Sequence, residues 1–296
     1  MSGKIFKKDV SSFEMSLFNN ISQLHKELSQ RFYCHGEYIQ FKVNDQKPRD
    51  INKASVKDRL VHRLMYDTLY NYFDKKFIFD SFSCRKNKGV HKAILRYKKF
   101  SQKISKNHTK QAWVLKCDIK KCFASVDQEI LIGILSKYIE DKEILSLLKK
   151  IILSFKKGLP LGNLTSQLFI NIYLHELDIF VKKDIKQKYY IRYADDFVIF
   201  SENLDELNQV FNLIKIFLKT NLKLEIHPRI NIKTIYSGIS FLGWKHFPQY
   251  RILRNSTRKR AIIGLKSDNE KVINSYLGLL KWGSTYKLKM KIIKEF

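Results

Sequence analysis

The stretch Tyr189-Tyr190-Ile191-Arg192-Tyr193-Ala194-Asp195-Asp196-Phe197-Val198-Ile199-Phe200 decides the fold. Its two flanks are rich in β-branched and aromatic residues, which favour strands. Between them, two adjacent carboxylates fall where a tight hairpin turn is expected. Aspartate at a turn is commonplace, and a surface hairpin would accommodate it. These flanks, however, read as strands buried on both faces. A buried carboxylate costs several kcal/mol unless something positive compensates it. For a pair of acids the usual compensator is a divalent cation.

Upstream, Trp113-Val114-Leu115-Lys116-Cys117-Asp118-Ile119 is an apolar strand ending in an acid, followed by Lys120-Lys121-Cys122-Phe123. Taken alone, Asp118 suits a helix N-cap as well as a metal ligand. Together with Asp195 it would bring carboxylates from two neighbouring strands to two Mg²⁺ ions about 3.5–4 Å apart. That arrangement clamps the attacking and leaving oxygens of phosphoryl transfer.

Four segments then occur in a telling order. They are Asp118-Ile119 with Phe123, Gly158-Leu159-Pro160-Leu161-Gly162-Asn163-Leu164-Thr165-Ser166-Gln167, Tyr193-Ala194-Asp195-Asp196, and Phe241-Leu242-Gly243-Trp244. In these the chain resembles a reverse transcriptase. The wording is most similar to bacterial enzymes of diversity-generating retroelements and to related defence proteins, from about Tyr38 to Tyr286.

The resemblance implies an α+β right-hand polymerase fold. Fingers and palm, the palm an antiparallel sheet flanked by helices, would occupy residues 1–249, and a short basic helical thumb residues 250–296. It implies catalysis by Asp118, Asp195 and Asp196, with the Ile119 carbonyl as a further ligand to two Mg²⁺ ions, for which Mn²⁺ can substitute. Lys47, Arg49 and Arg85 would lie by the incoming nucleotide, and the Phe123 ring beneath its sugar, crowding a ribose 2′-hydroxyl. Leu161 and Gln167 would also border the nucleotide. Tyr193, Leu242, Gly243, Trp244, Arg258, Lys259 and Arg260 would follow primer and template.

One departure matters. Many reverse transcriptases read Pro-Gln-Gly and later Ser-Pro, whereas here Pro160-Leu161-Gly162 and Ser166-Gln167 resemble the error-prone retroelement group. Leu161 offers only apolar contact where glutamine would donate a hydrogen bond worth roughly 0.5–1.5 kcal/mol.

Composition agrees with a nucleic-acid partner. Fifty-six Lys and Arg against 28 Asp and Glu leave a formal charge of +28, too large for ordinary solvated surface. A membrane surface fits less well, because no sustained basic helix carries an aromatic face. At 296 residues and 44% apolar content the chain can bury a large core in one or two domains. No apolar run approaches the ~18–20 residues that span a bilayer, and the N-terminus lacks a signal peptide's apolar segment, so a cytoplasmic location is expected. Cys34, Cys84, Cys117 and Cys122 show no C-x-x-C spacing and read as buried small hydrophobes rather than zinc ligands.

Elsewhere the periodicity predicts helices over 11–30, 56–73, 91–100, 142–155, 166–181 and 205–220. Residues 38–43 and 49–51 read as a hairpin with a basic tip, and 222–226 and 240–244 as strands. Ser125-Val126-Asp127-Gln128 fits a capping box opening a helix over 128–138, which assigns Ser125 and Asp127 to structure. Asp58 and Arg59 read as structural too, and His62 as packing. The glycine-bearing loop at Gly158 lacks the G-K-[ST] of an ATP-binding turn. Residues 256–296 read as helical and very basic.

The function expected is RNA-templated DNA synthesis. Its partners would be an RNA template, a DNA product, deoxynucleoside triphosphates, a cognate non-coding RNA, and an accessory protein or a second copy. A maturase-like RNA-binding scaffold that has lost catalysis gains nothing from clustered acids, and an RNA-templated RNA polymerase sits badly with Phe123. Retroelement mutagenesis, antiphage defence and intron mobility could all use the same core. The absence of a visible DNA-binding or endonuclease domain weighs against the last.

Overall fold

The structure is a computed structural model that describes residues 7–44, 48–228, 231–265, 269–286 and 290. In chain order it begins with α1 (Lys8–Met15), α2 (Leu17–Ser29), β1 (Ile39–Asn44), β2 (Pro48–Lys53), α3 (Val56–Lys76) and α4 (Val90–Ile104). There follow β3 (Trp113–Asp118), α5 (Cys122–Ser125), α6 (Gln128–Ser136), α7 (Lys142–Leu153) and α8 (Leu164–Ile179). The chain continues through β4 (Tyr190–Tyr193), β5 (Asp196–Ser201), α9 (Leu204–Asn221) and β6 (Asn231–Thr234). It closes with β7 (Ile239–Phe241), β8 (Trp244–His246), β9 (Arg251–Leu253), α10 (Asn255–Leu265) and α11 (Glu270–Leu280).

These elements form two compact units. One comprises Met1–Phe79, Ile119–Phe180 and Lys215–Ile226; the other comprises Asp80–Asp118, Val181–Ile214 and His227–Phe296. The ladder between β8 and β9 pairs Trp244 with Leu253 and so runs across residue 249.

In the first unit, α3 and α6 pack on α8, most of whose residues are buried. Polar groups inside are satisfied locally. Asp58 accepts from Tyr33 Oη (2.7 Å), Ser55 Oγ (2.6 Å) and the Gly36 amide (3.2 Å), while Arg59 reaches Asp9 at 2.6 Å. Both are structural, as their helical setting suggested. His62 is buried with its Nε2 at 3.1 Å from that of His35, and burial pushes its pKa down to about 4. The antiparallel hairpin β1–β2 forms as expected, though Lys47 at its tip lies outside the described residues.

In the second unit a four-stranded antiparallel sheet has the order β4-β5-β3-β6. Alternation puts Val114, Val198 and Phe200 on one face, where they pack with Tyr97 and Phe100 of α4. The same face carries Lys116, Asp118 and Asp196 at its other end. A second sheet, β7-β8-β9, is held to α10 and α11 through Trp244, which packs with Leu253, Ala261, Leu265 and Leu280.

Five expectations need correction. Residues 222–226 are not a strand. Lys223 takes φ +48 and the amides of Leu222 and Leu224 both return to the Leu218 carbonyl, closing α9, so Ile226 alone makes a bridge, to Ile119. Residues 240–244 are the heart of a hairpin, turned at Leu242 and Gly243 with φ +50 and +83. The capping box at Ser125 does not form. Asp127 caps α6 by accepting from the Ile130 amide, and the Gln128 amide is drawn instead to the carbonyls of Ile152, Phe155 and Gly158. The first helix breaks at Ser16, whose backbone leaves the helical region. Of the cysteines, Cys117 and Cys122 are buried, but Cys34 and Cys84 are exposed.

Gly158 supplies a backbone that a side chain would spoil. Its φ is +70, and a Cβ there would stand 2.5 Å from the Phe123 carbonyl oxygen. The neighbouring Leu159 amide donates to that same oxygen at 2.8 Å. Gly158→Ala is therefore expected to cost about 2–4 kcal/mol, from strain and overlap together. Urea unfolding measures it; a loss below about 0.5 kcal/mol, the scale of a neutral surface change, would refute this account of the loop.

Candidate active site

The register of β3 against β5 sets Asp118 opposite Asp196 at the edge of the sheet. Tyr193 pairs with Asp196 across β4 and β5, leaving Ala194 and Asp195 as a two-residue hairpin loop. Three acidic residues thus lie at one end of one sheet. The loop is strained, since Ala194 holds φ +54, a region disfavoured for residues with a Cβ. Arg192 supports it. This guanidinium is fully buried in β4, and its Nη1 donates to the Ala194 carbonyl at 3.2 Å.

Lys116 lies two residues before Asp118, hence on the same face of β3. Its Nζ sits 3.1 Å from Asp196 Oδ1, diagonally across the ladder. The approach is an ion pair of poor hydrogen-bond alignment, and among the described residues no well-aligned donor reaches this buried oxygen. Burial pushes the Asp196 carboxyl up to about 7; Lys116 opposes the shift and the charges of Asp118 and Asp195 add to it. The thiol of Cys117 is pushed up to about 12, again by burial, which leaves it inert as a nucleophile at neutral pH.

Among the described residues no three His, Cys, Asp or Glu side chains are gathered closely enough to cage a metal ion alone. Mg²⁺ is held by one or two carboxylates completed by water and substrate phosphates. Two acids facing each other, a third in the adjoining loop and one undonated carboxylate oxygen fit that requirement.

The other expected residues fall in both units. In the second, Arg85 is half-buried and donates to the Ser81 carbonyl at 3.0 Å, and Tyr193 is half-buried against the core. Leu242 and Gly243 form the β7–β8 turn, and Arg258 and Lys259 are exposed on α10. Arg260 is half-buried, with a long bond (3.4 Å) to Thr257 Oγ1. Trp244 is 1% exposed and packs with Leu253, Ala261, Leu265 and Leu280, anchoring the turn that precedes it. In the first unit, Ile119 is buried, Phe123 is half-buried, and Arg49 and Gln167 are exposed. Leu161 is half-buried, and its carbonyl accepts the Asn52 amide at 2.9 Å. Lys116 and Arg192 were missed as site residues. The signal for each was present: a cation two residues before an acid on a strand, and a lone arginine inside an apolar one.

An antiparallel sheet with acids at its hairpin, followed by a second hairpin packed on two helices, is the architecture of a polymerase-like fold. Residues 41–246 match the reverse transcriptase (RNA-dependent DNA polymerase) family, and the chain belongs to it. It is 24% identical over 255 residues to protein YkfC of Escherichia coli K12, covering 72% of this chain and 65% of that one. The group II intron-encoded protein LtrA of Lactococcus lactis is 28% identical over 158 residues, half of this chain and 25% of its own. A putative COX1/OXI3 intron 2 protein of Saccharomyces cerevisiae is 23% identical over 266 residues, 66% of this chain and 30% of its own. The chain thus spans only part of the length of these relatives. Apo telomerase from Candida tropicalis shares the fold at TM-score 0.55 and 15% identity, over 89% of this chain and 57% of that one. Among the described residues no helix is long and apolar enough to cross a membrane.

The raised pKa of Asp196 makes a prediction about stability. Its folded value, about 7, lies above the ordinary value of 3.8. The folded chain therefore holds the extra proton between these values, and without metal its stability falls as pH rises through that window. Asp196→Asn removes the penalty. In metal-free buffer at pH 8 the variant is expected to be more stable than the parent by on the order of 2 kcal/mol. At pH 4 the two should be nearly equal. Denaturant unfolding at both pH values tests this, and a variant less stable at pH 8 would contradict it.

Proposed function

We propose that the chain is an RNA-directed DNA polymerase using two divalent ions, Mg²⁺ with Mn²⁺ able to substitute. The observation that carries the reading is the ladder that opposes Asp118 and Asp196, with Asp195 in the adjoining loop, in a chain of the reverse transcriptase family. Asp118 and Asp195 would hold the ions with help from the Ile119 carbonyl, and Asp196, neutralised in part by Lys116, would complete the local charge. When bound, such ions lower the pKa of the primer 3′-hydroxyl and offset the charge of departing pyrophosphate. The chain's own residues bind, orient and exclude. No protein nucleophile is needed, because positioning and charge stabilisation carry the rate.

Around this centre, Lys47, Arg49 and Arg85 would meet the triphosphate, and Leu161 and Gln167 the nucleotide. The Leu242-Gly243 turn and the exposed Arg258 and Lys259 would track primer and template. Fingers, palm and thumb would divide near residue 249. The partner is RNA, favoured by the charge of +28. The wording of the motifs favours a dedicated non-coding RNA in a bacterial retroelement or antiphage system, while several relatives are intron-encoded proteins. A scaffold without catalysis is disfavoured by the retained acids.

Asp118→Asn and Asp195→Asn should each abolish deoxynucleotide incorporation on a primed RNA template while RNA affinity stays within about threefold of the parent, since phosphate contacts dominate binding. Primer extension by either variant at near-parental rate would overturn the assignment. Phe123 generates a separate expectation. Phe123→Val should improve ribonucleotide use roughly tenfold to two-hundredfold, the worth of a small change in an apolar pocket. Competition between ribo- and deoxynucleotides in a single assay reads this directly, and an unchanged preference would reduce Phe123 to core.

A further inference from the structure

The second unit holds a cavity of about 310 Å³ that none of the catalytic carboxylates lines. Its walls come from α4, the turn between β8 and β9, and the segment following α11. The turn Phe247–Tyr250 and the turn Leu242–Gly243 lie at opposite ends of β8. Three residues of strand put them roughly 10 Å apart. The cavity therefore belongs to the end of this hairpin opposite the one proposed to follow the primer.

Its chemistry is one-sided. Lys98, Arg251 and Lys281 line it, and no Asp or Glu does. Lys98 and Lys281 are exposed, and neither has a carboxylate partner among the described residues. Arg251 is half-buried, bonds the Trp282 carbonyl through Nε, and stands over the Trp244 ring at 5.7 Å. It too lacks a carboxylate partner among the described residues. A partly desolvated guanidinium without an anion is costly, and it favours an anionic ligand. The rest of the wall mixes aliphatic and polar residues with aromatic ones, among them Phe247 and Tyr250. Phe247 stacks on Tyr250 at 4.8 Å and 19°, both line the cavity, and Tyr250 is 50% exposed, which leaves part of its ring open to a ligand.

We propose that this cavity seats an unpaired nucleotide of an RNA strand, its base against Tyr250 and Phe247 and its flanking phosphates on Lys98, Arg251 and Lys281. Cations beside an exposed aromatic face are the recurring means of holding single-stranded nucleic acid. The volume lies at the lower end of small-ligand sites, roughly 300 Å³, which one nucleotide occupies and a duplex cannot enter. A peptide partner with this fit would need acidic and aromatic groups together; the charge of +28 favours RNA. The site goes beyond the proposed polymerase activity and shares with it only the premise that the chain handles RNA.

The test uses the full chain and a fluorescent hexauridylate, read by anisotropy. Tyr250→Ala should weaken binding about tenfold, the worth of one stacked base. Lys98→Glu with Lys281→Glu should weaken it at least as much. The control is Lys137→Glu with Lys149→Glu, two exposed lysines of the first unit, which should change affinity about threefold or less. Extension of a preformed hairpin primer–template at saturating concentration should stay at the parental rate in all three. A single 5-iodouridine in the probe should cross-link to the peptide bearing Tyr250. Equal losses in the two charge-reversed variants would assign the effect to net charge and overturn the proposal. So would unchanged affinity in Tyr250→Ala, cross-links confined to other peptides, or displacement of the probe by an equal concentration of uridine monophosphate. If the polymerase reading alone is wrong, extension fails for the parent while these binding differences persist.

Discussion

Everything in the candidate site depends on one ladder, the antiparallel pairing of β3 with β5 that sets Asp118 against Asp196. Two carboxylates facing each other across a sheet repel, and partial burial strengthens the repulsion. The chain answers with Lys116, placed by strand alternation on the same face and 3.1 Å from Asp196. A shift of one residue in this pairing would send either acid to the opposite face. Register is secured away from the acids, where Val114, Val198 and Phe200 lock against Tyr97 and Phe100. An apolar end of one sheet face thus fixes the geometry of its polar end.

The loop that carries Asp195 is the second constraint. A two-residue hairpin with an alanine at φ +54 stores strain of about 1–2 kcal/mol, and glycine would relieve it. The fold holds the strained form with a fully buried arginine, Arg192, bonded to the Ala194 carbonyl. Rigidity at this point has a purpose if Asp195 must hold its carboxylate in one direction. The nearby core is built for stiffness too, with Trp244 tying the second hairpin to α10 and α11.

Much of this could be read in the residues. The hairpin around Asp195 and the strand ending at Asp118 follow from period-two patterns and turn chemistry, which are local. Lys116 and Arg192 escaped notice because their meaning lies in partners across the sheet or around a loop. Local signals also misled. The alternation of Leu222, Leu224 and Ile226 is that of a strand, yet Lys223 turns left-handed to close α9, and the leucines are buried as its cap. Gln128 sits at the right spacing from Ser125 for a capping box, but three carbonyls from the end of α7 and the loop after it compete for its amide and win. Exposure of Cys34 and Cys84 is decided by tertiary packing, which spacing does not encode.

The central claim is that Asp118 and Asp195 make a pair of divalent ions bind where the polymerase reaction occurs. Calorimetric titration of Mn²⁺ into the chain bound to a primed RNA template and a non-incorporable deoxynucleoside triphosphate measures it most directly. Two ions per chain are expected for the parent, and loss of at least one site in Asp118→Asn and in Asp195→Asn with the template still bound. Identical Mn²⁺ stoichiometry and affinity in the parent and both variants would contradict it.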